Sequence, residues 1–121
     1  MKYVALIYNN VGAFEAMTPA ERDQLMSEAD AYLKEFTDTG ELLTGGYALA
    51  DSTTAKTVRI RDGLLNVTDG PFAEAKEQLA GFYILDTETI ERAAEIVSHD
   101  PAARLWGIEV RPVMDEAGTD V

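Results

Sequence analysis

The chain has 121 residues, 46% of them hydrophobic, and its 10 basic and 22 acidic side chains leave a net charge of −12. That size and balance suit one globular domain, and the absence of Cys excludes disulfide frameworks, thiolate zinc sites and thiol nucleophiles. So negative a body repels phosphate backbones and anionic lipid, which excludes nucleic acid and membrane as expected partners. The longest apolar run, residues 4–8, is far below the ~20 residues of a membrane span, and without a signal-peptide layout the expected location is cytoplasmic.

Residues 2–8 predict a first strand. Tyr3, Ala5 and Ile7 share one side and Val4, Leu6 and Tyr8 the other, so the strand is apolar on both faces. Residues 9–12 break it with a loop. Thr18-Pro19-Ala20-Glu21 combines a capping hydroxyl, a proline at the first helical position and the Glu of a capping box. Leu25, Ala29, Tyr32, Leu33 and Phe36 then build one apolar stripe, and Gly40 closes the helix in the left-handed region. A second strand is expected over residues 42–49, its Gly45-Gly46 pair marking a bulge or a close backbone approach. Residues 57–61, Asp62-Gly63 and residues 64–67 spell a tight hairpin, with Val58 and Ile60 facing in and Thr57, Arg59 and Arg61 facing out.

A turn at residues 68–72 leads to a strand over 79–85, again apolar on both faces. Thr87 is expected to cap a second helix with Ile90, Ala93, Ala94 and Val97 as its buried stripe, and Pro101 to stop it soon after His99. Residues 108–113 form a closing strand near an edge, because Pro112 cannot donate to a neighbour. Residues 115–121 are an acidic tail without a core role. With the hairpin set aside, the order is β-α-β-β-α-β, an α+β fold of the ferredoxin-like, split βαβ kind. Two helices cover one face of such a sheet, yet two of its strands are apolar on both. A second copy packed sheet to sheet, giving a dimeric α+β barrel, removes the free apolar face from water at about 25 cal/mol per Å².

Asp69-Gly70-Pro71-Phe72, continuing through Ala73-Glu74-Ala75-Lys76-Glu77-Gln78-Leu79, resembles the signature of the DGPF proteins of the YCII-related superfamily. The opening Met1-Lys2-Tyr3, the helix start at Thr18 and the ending Glu109-Val110-Arg111-Pro112-Val113 resemble the same family, so that residues 1–114 read as one such domain. Ala75 and Ala80 replace a Thr and a Gly common in the pattern. The resemblance implies a homodimeric ferredoxin-like barrel and, through relatives associated with extracytoplasmic-function sigma factors, a sigma-factor partner. More distant relatives carry a His on the first helix and an Asp in an Asp-Pro pair, proposed as a catalytic dyad. Asp100-Pro101 is similar to that pair, but the His position falls on Ala29, so the dyad does not carry over.

The residues themselves offer several candidates. Asp69, before Gly70-Pro71, reads as a turn-locking carboxylate or as a base and polar anchor at a barrel mouth. Phe72 beside it reads as a core plug or a stacking surface, and Lys76 as the cation of that turn, able to orient an anionic ligand. His99 and Asp100 form a His–Asp unit if the helix has ended there, and otherwise His99 serves as a helix terminus favoured by the dipole. Tyr8, Tyr47 and Tyr83 lie on strands and line a cavity or simply pack. Arg111, with Glu109, forms a surface pair or faces the barrel interior. One His and no Cys make a transition-metal site an unfavourable expectation, and no cofactor fingerprint is present. Two functions follow: a small-molecule-binding or weakly catalytic protein with a cleft in the dimeric barrel, or a non-catalytic module that steers a basic protein partner by its charge.

Overall fold

The computed structural model describes residues 1–43 and 46–115. β1 (Lys2–Asn10) leads to α1 (Pro19–Asp38), then β2 (Tyr47–Ala48), a 3₁₀ turn (Ser52–Thr54), the hairpin β3 (Lys56–Arg61) and β4 (Leu64–Asp69), β5 (Glu77–Asp86), α2 (Ile90–Val97), α3 (Pro101–Leu105) and β6 (Gly107–Pro112). The main sheet has the order β2-β5-β1-β6 with every neighbouring pair antiparallel. That is the order required when β1-α1-β2 and β5-α2-β6 are interleaved split βαβ units. No helix among the described residues is long and apolar enough to cross a membrane.

The first helix starts as its sequence demands. The Thr18 hydroxyl accepts from the Glu21 amide at 3.1 Å and the Glu21 carboxylate accepts from the Thr18 amide at 2.9 Å, a reciprocal cap that satisfies two otherwise orphaned donors. Gly40, at φ +83°, follows the last turn. The second helix starts two residues later than expected. Thr89, not Thr87, accepts from Arg92 N, while the Thr87 hydroxyl is spent donating to the Thr89 carbonyl. Its fully buried residues are Ala93 and Ile96, with Val97 beside them, and Ala94 is exposed. Pro101 does more than stop that helix: it opens α3 from the first helical position, where its missing N–H is no loss.

The core lies between the helices and one face of the sheet. Tyr3 and Ala5 of β1, Tyr83 and Leu85 of β5, Tyr32 and Phe36 of α1, Leu42, and Ile96 of α2 are its main members. On the other face Val4 lies beside Ile84, and Leu6 beside Phe82, with Glu109 and Arg111 of β6 next to them. Among the described residues no helix covers this face, and its apolar residues are half-buried. The second strand is shorter than its sequence predicts. Leu42 bridges Leu85 and Leu43 donates to the Ile84 carbonyl, and regular pairing resumes at Tyr47 opposite Phe82. Gly45 and Thr44, in between, lie outside the described residues.

The hairpin forms at Asp62-Gly63, where both residues take positive φ (51° and 75°) as a tight primed turn needs. It pairs only with itself, as a separate two-stranded sheet. The expectation that Val58 and Ile60 face a core is overturned: they are 60% and 70% exposed, while Thr57 and Arg59 are half-buried. The alternation is real, but among the described residues no element lies over the apolar side.

Candidate functional site

Where α2 ends, the chain tightens through His99 and Asp100, whose amides donate to the carbonyls of Ile96 and Val97. Asp100 is thereby turned inward as the cap of α3. Its Oδ1 accepts from the Ala102 amide at 2.8 Å and its Oδ2 from the Tyr83 hydroxyl at 2.9 Å. Tyr83 comes from the middle of β5, and its hydroxyl lies 2.9 Å from that of Tyr32 on α1. Three elements thus contribute one member each to a buried chain of a carboxylate and two phenols. Burial pushes the Asp100 carboxyl above its usual range, opposed by the Ala102 amide and the Tyr83 hydroxyl. Tyr83 is pushed far up, by burial first and then by the Asp100 charge, and Tyr32 rises by burial, so both phenols stay neutral.

This chain of groups stands in the wall of a cavity of about 680 Å³, a size suited to a small organic molecule. The rest of the wall is mainly apolar: Leu25, Met26, Ala29 and Leu33 from α1, Ile7 from β1, Leu79 and Phe82 from β5, Tyr47 and Leu49 from the sheet edge, and Trp106 after α3. Two loops border it and are tied together, because Asp51 accepts from the Gly12 amide at 3.2 Å and from the Thr53 hydroxyl at 2.8 Å. These bonds hold the Asp51 carboxyl below its usual range, the Thr53 hydroxyl contributing most. Arg22 secures the loop from the helix side, donating to the carbonyls of Glu15 and Phe14 with its guanidinium against the Phe14 ring. Gly81 lets the edge strand close on the cavity: a Cβ there would sit 2.8 Å from the Tyr47 carbonyl oxygen. A Cβ at Gly46 would meet nothing nearer than 3.7 Å, so the tight contact at this edge lies at Gly81.

Of the residues singled out in the sequence, Tyr47, Tyr83 and Asp100 meet at this cavity. Tyr8 lies on the uncovered face of the sheet by the alternation of β1, and Arg111 lies there too, its Nε 3.8 Å from Glu109 Oε2. Asp69 ends β4 and is ion-paired across the hairpin with Lys56, so it neither locks the turn nor reaches the cavity. Phe72 is 73% exposed under the Arg59 guanidinium, 4.3 Å from its ring centre, and is not a core plug. Lys76 is exposed in the segment before β5. The His99–Asp100 unit does not form: Asp100 turns inward to Tyr83 and Ala102, while the exposed His99 ring lies against Phe36. Among the described residues no three carboxylate or imidazole groups cluster as metal ligands.

Tyr32 entered the sequence reading only as a stripe residue. A phenol in a stripe of buried hydrocarbon needs a partner for its hydroxyl, and an Asp-Pro pair is the signature of a helix cap with an occupied carboxylate. Together those two signals lead to this chain of groups.

The YCII-related domain model matches residues 1–117, nearly the whole chain. The chain belongs to the YCII-related family. This YCII-related protein is 35% identical over 118 residues to an uncharacterised protein of Rhizobium meliloti (strain 1021), covering 93% of this chain and 92% of that one. Its structure is similar to that of the 5-chloro-2-hydroxyhydroquinone dehydrochlorinase TftG of Burkholderia phenoliruptrix AC1100, in complex with 2,5-dihydroxybenzoquinone. The TM-score is 0.52 at 15% identity, over 98% of this chain and 100% of the other, a likeness of fold. Ala29, to which the resemblance assigns the helix-one His position, lines the same cavity as Asp100.

Proposed function

We propose that this YCII-related protein is a cytoplasmic small-molecule-binding protein able to do acid–base chemistry, with its ligand between α1 and the β2-β5 edge. The observation that carries the reading is the buried Tyr32–Tyr83–Asp100 chain set into the wall of a largely apolar cavity of about 680 Å³. Apolar walls bind the body of a small molecule, and a few convergent polar groups at one end fix its orientation. A hydroxylated ring fits both requirements, and TftG, of the same fold, is described with such a compound. Isothermal titration with 2,5-dihydroxybenzoquinone and simpler phenols should give saturable binding. Ala29→Trp, which fills the cavity from α1, should weaken it at least about tenfold. A folded protein that binds no hydroxylated ring would overturn the proposal.

The same reading includes a second copy packed on the uncovered sheet face as a dimeric α+β barrel, which is where Tyr8 and Arg111 would contribute. It is supported by the half-buried Val4, Leu6, Phe82 and Ile84, an apolar surface that association would remove from water. A regulatory module bound to a basic partner such as a sigma factor is the alternative. It is favoured by the exposed acids of α1, among them Asp23, Asp30 and Glu35. Charge reversal at Glu28 and Glu35 would lose such a partner and leave ring binding intact.

A further inference from the structure

We infer that the Asp100 carboxylate orients both phenols so that the cavity presents its ligand with a hydrogen-bond acceptor, and so selects a ligand that donates: a phenolic or enolic hydroxyl. This rests on the cavity being the ligand site. A count of protons fixes the direction of the series. Oδ1 of Asp100 faces an amide, which always donates, and Oδ2 faces the Tyr83 hydroxyl. A carboxylate has no proton to give, so the single Tyr83 proton lies in that bond. The Tyr83 oxygen then accepts from Tyr32, which places the single Tyr32 proton between the phenols. Among the described residues Tyr83 is the one hydrogen-bond partner of the Tyr32 hydroxyl. What remains at the outer end of the chain, in the cavity wall, is a lone pair without a proton.

Two further polar side chains on the wall are already engaged. The Gln78 amide donates to the carbonyls of Ala73 and Ala75, and Asp51 is taken by the Gly12 amide and the Thr53 hydroxyl. Asn9 offers both a donor and an acceptor, so it discriminates neither ligand type. A ligand oxygen without a proton would meet the Tyr32 oxygen lone pair to lone pair, whereas a hydroxyl completes the series. Asp100 acts here as a positioning residue, through Tyr83 and Tyr32, and need not touch the ligand.

Asp100→Asn reverses the series without removing it. Its Oδ1 still accepts from Ala102, but its Nδ2 donates to Tyr83, Tyr83 donates to Tyr32, and Tyr32 donates into the cavity. The test uses two isomeric probes, 4-methylphenol and methoxybenzene, titrated into the full-length protein by calorimetry. Wild type should prefer 4-methylphenol by about tenfold, the cost of leaving one hydrogen bond unmade in a dry site. In Asp100→Asn, methoxybenzene should bind several-fold more tightly than it does to wild type. Tyr32→Phe, which loses the hydroxyl alone, should bind both probes with a ratio near one. Equal affinity in wild type, or a preference for methoxybenzene, overturns the inference and leaves the cavity reading standing. Preference that persists in Tyr32→Phe also overturns it. Failure of both probes to bind wild type removes the cavity reading, and the inference with it.

Discussion

Two apolar strand faces end in opposite surroundings. On the helix side of the main sheet, Tyr3 and Leu85 are at most 1% exposed, packed against α1 and α2. On the hairpin, Val58 and Ile60 alternate with polar residues, opposite Val67 and Leu65, and all four are more than half exposed. Alternation therefore says that a strand has an apolar side. It does not say which element supplies the cover. Among the described residues it is also the side under the helices that holds two phenols and a carboxylate dry enough to depend on one another. The hairpin's one carboxylate–lysine pair, Asp69 with Lys56, stays in solvent, where such pairs contribute little.

The largest expected effect sets the two regions directly against each other. Leu85→Ala should cost about 2–5 kcal/mol in denaturant unfolding, because it leaves a hole that the neighbouring helices cannot close. Ile60→Ala should cost less than about 0.5 kcal/mol in dilute protein, since its side chain touches mainly water. If Ile60→Ala proves costly, and the cost grows with protein concentration, a second copy supplies the missing cover and the contrast dissolves.

An intermediate effect is expected where the covered region meets its edge. Gly81→Ala should destabilise by about 1–3 kcal/mol, because the new Cβ meets the Tyr47 carbonyl, a backbone atom that moves only with the strand. The same substitution should weaken ring binding, since Tyr47 borders the cavity.

The smallest effect is a pH slope, and its sign is specific. Burial raises the Asp100 carboxyl, so the folded chain keeps that proton to higher pH than the unfolded one. Its contribution is most favourable below the unfolded value of about 3.9, falls as the pH rises through the folded value, and is level above it. Glu41 slopes the opposite way. Hydrogen bonds from Arg92 hold its carboxyl low, so the stability it confers is lost on acidification. Subtracting the unfolding free energies of Asp100→Asn from those of wild type between pH 4 and 8 should leave a falling difference.

Much of the fold is local and therefore legible. Thr18, Pro19 and Glu21 start α1 through bonds within one turn, Gly40 ends it by tolerating a positive φ, and Asp62-Gly63 closes the hairpin by the same freedom. The two strands that are apolar on both faces, β1 and β5, lie at the centre of the sheet. The third helix was missed because Pro101 after the end of α2 reads equally as a stop and as a start. Which one it is depends on Asp100 turning inward to meet Tyr83, a residue 17 positions away.

The site was half visible. Asp100, Tyr83 and Tyr47 could be named one by one from residue type and strand pattern, while Asp69, His99, Phe72 and Lys76 had equal standing and lie elsewhere. By itself the sequence determined most of the elements, their order, the family and the apolar sides of the strands, because caps, turns and alternation act over a few residues. Only the tertiary structure decided which polar groups share a dry wall. Tyr32 and Tyr83 are 51 positions apart in the chain and 2.9 Å apart in space, and the direction of a hydrogen-bonded series depends on who stands at its end.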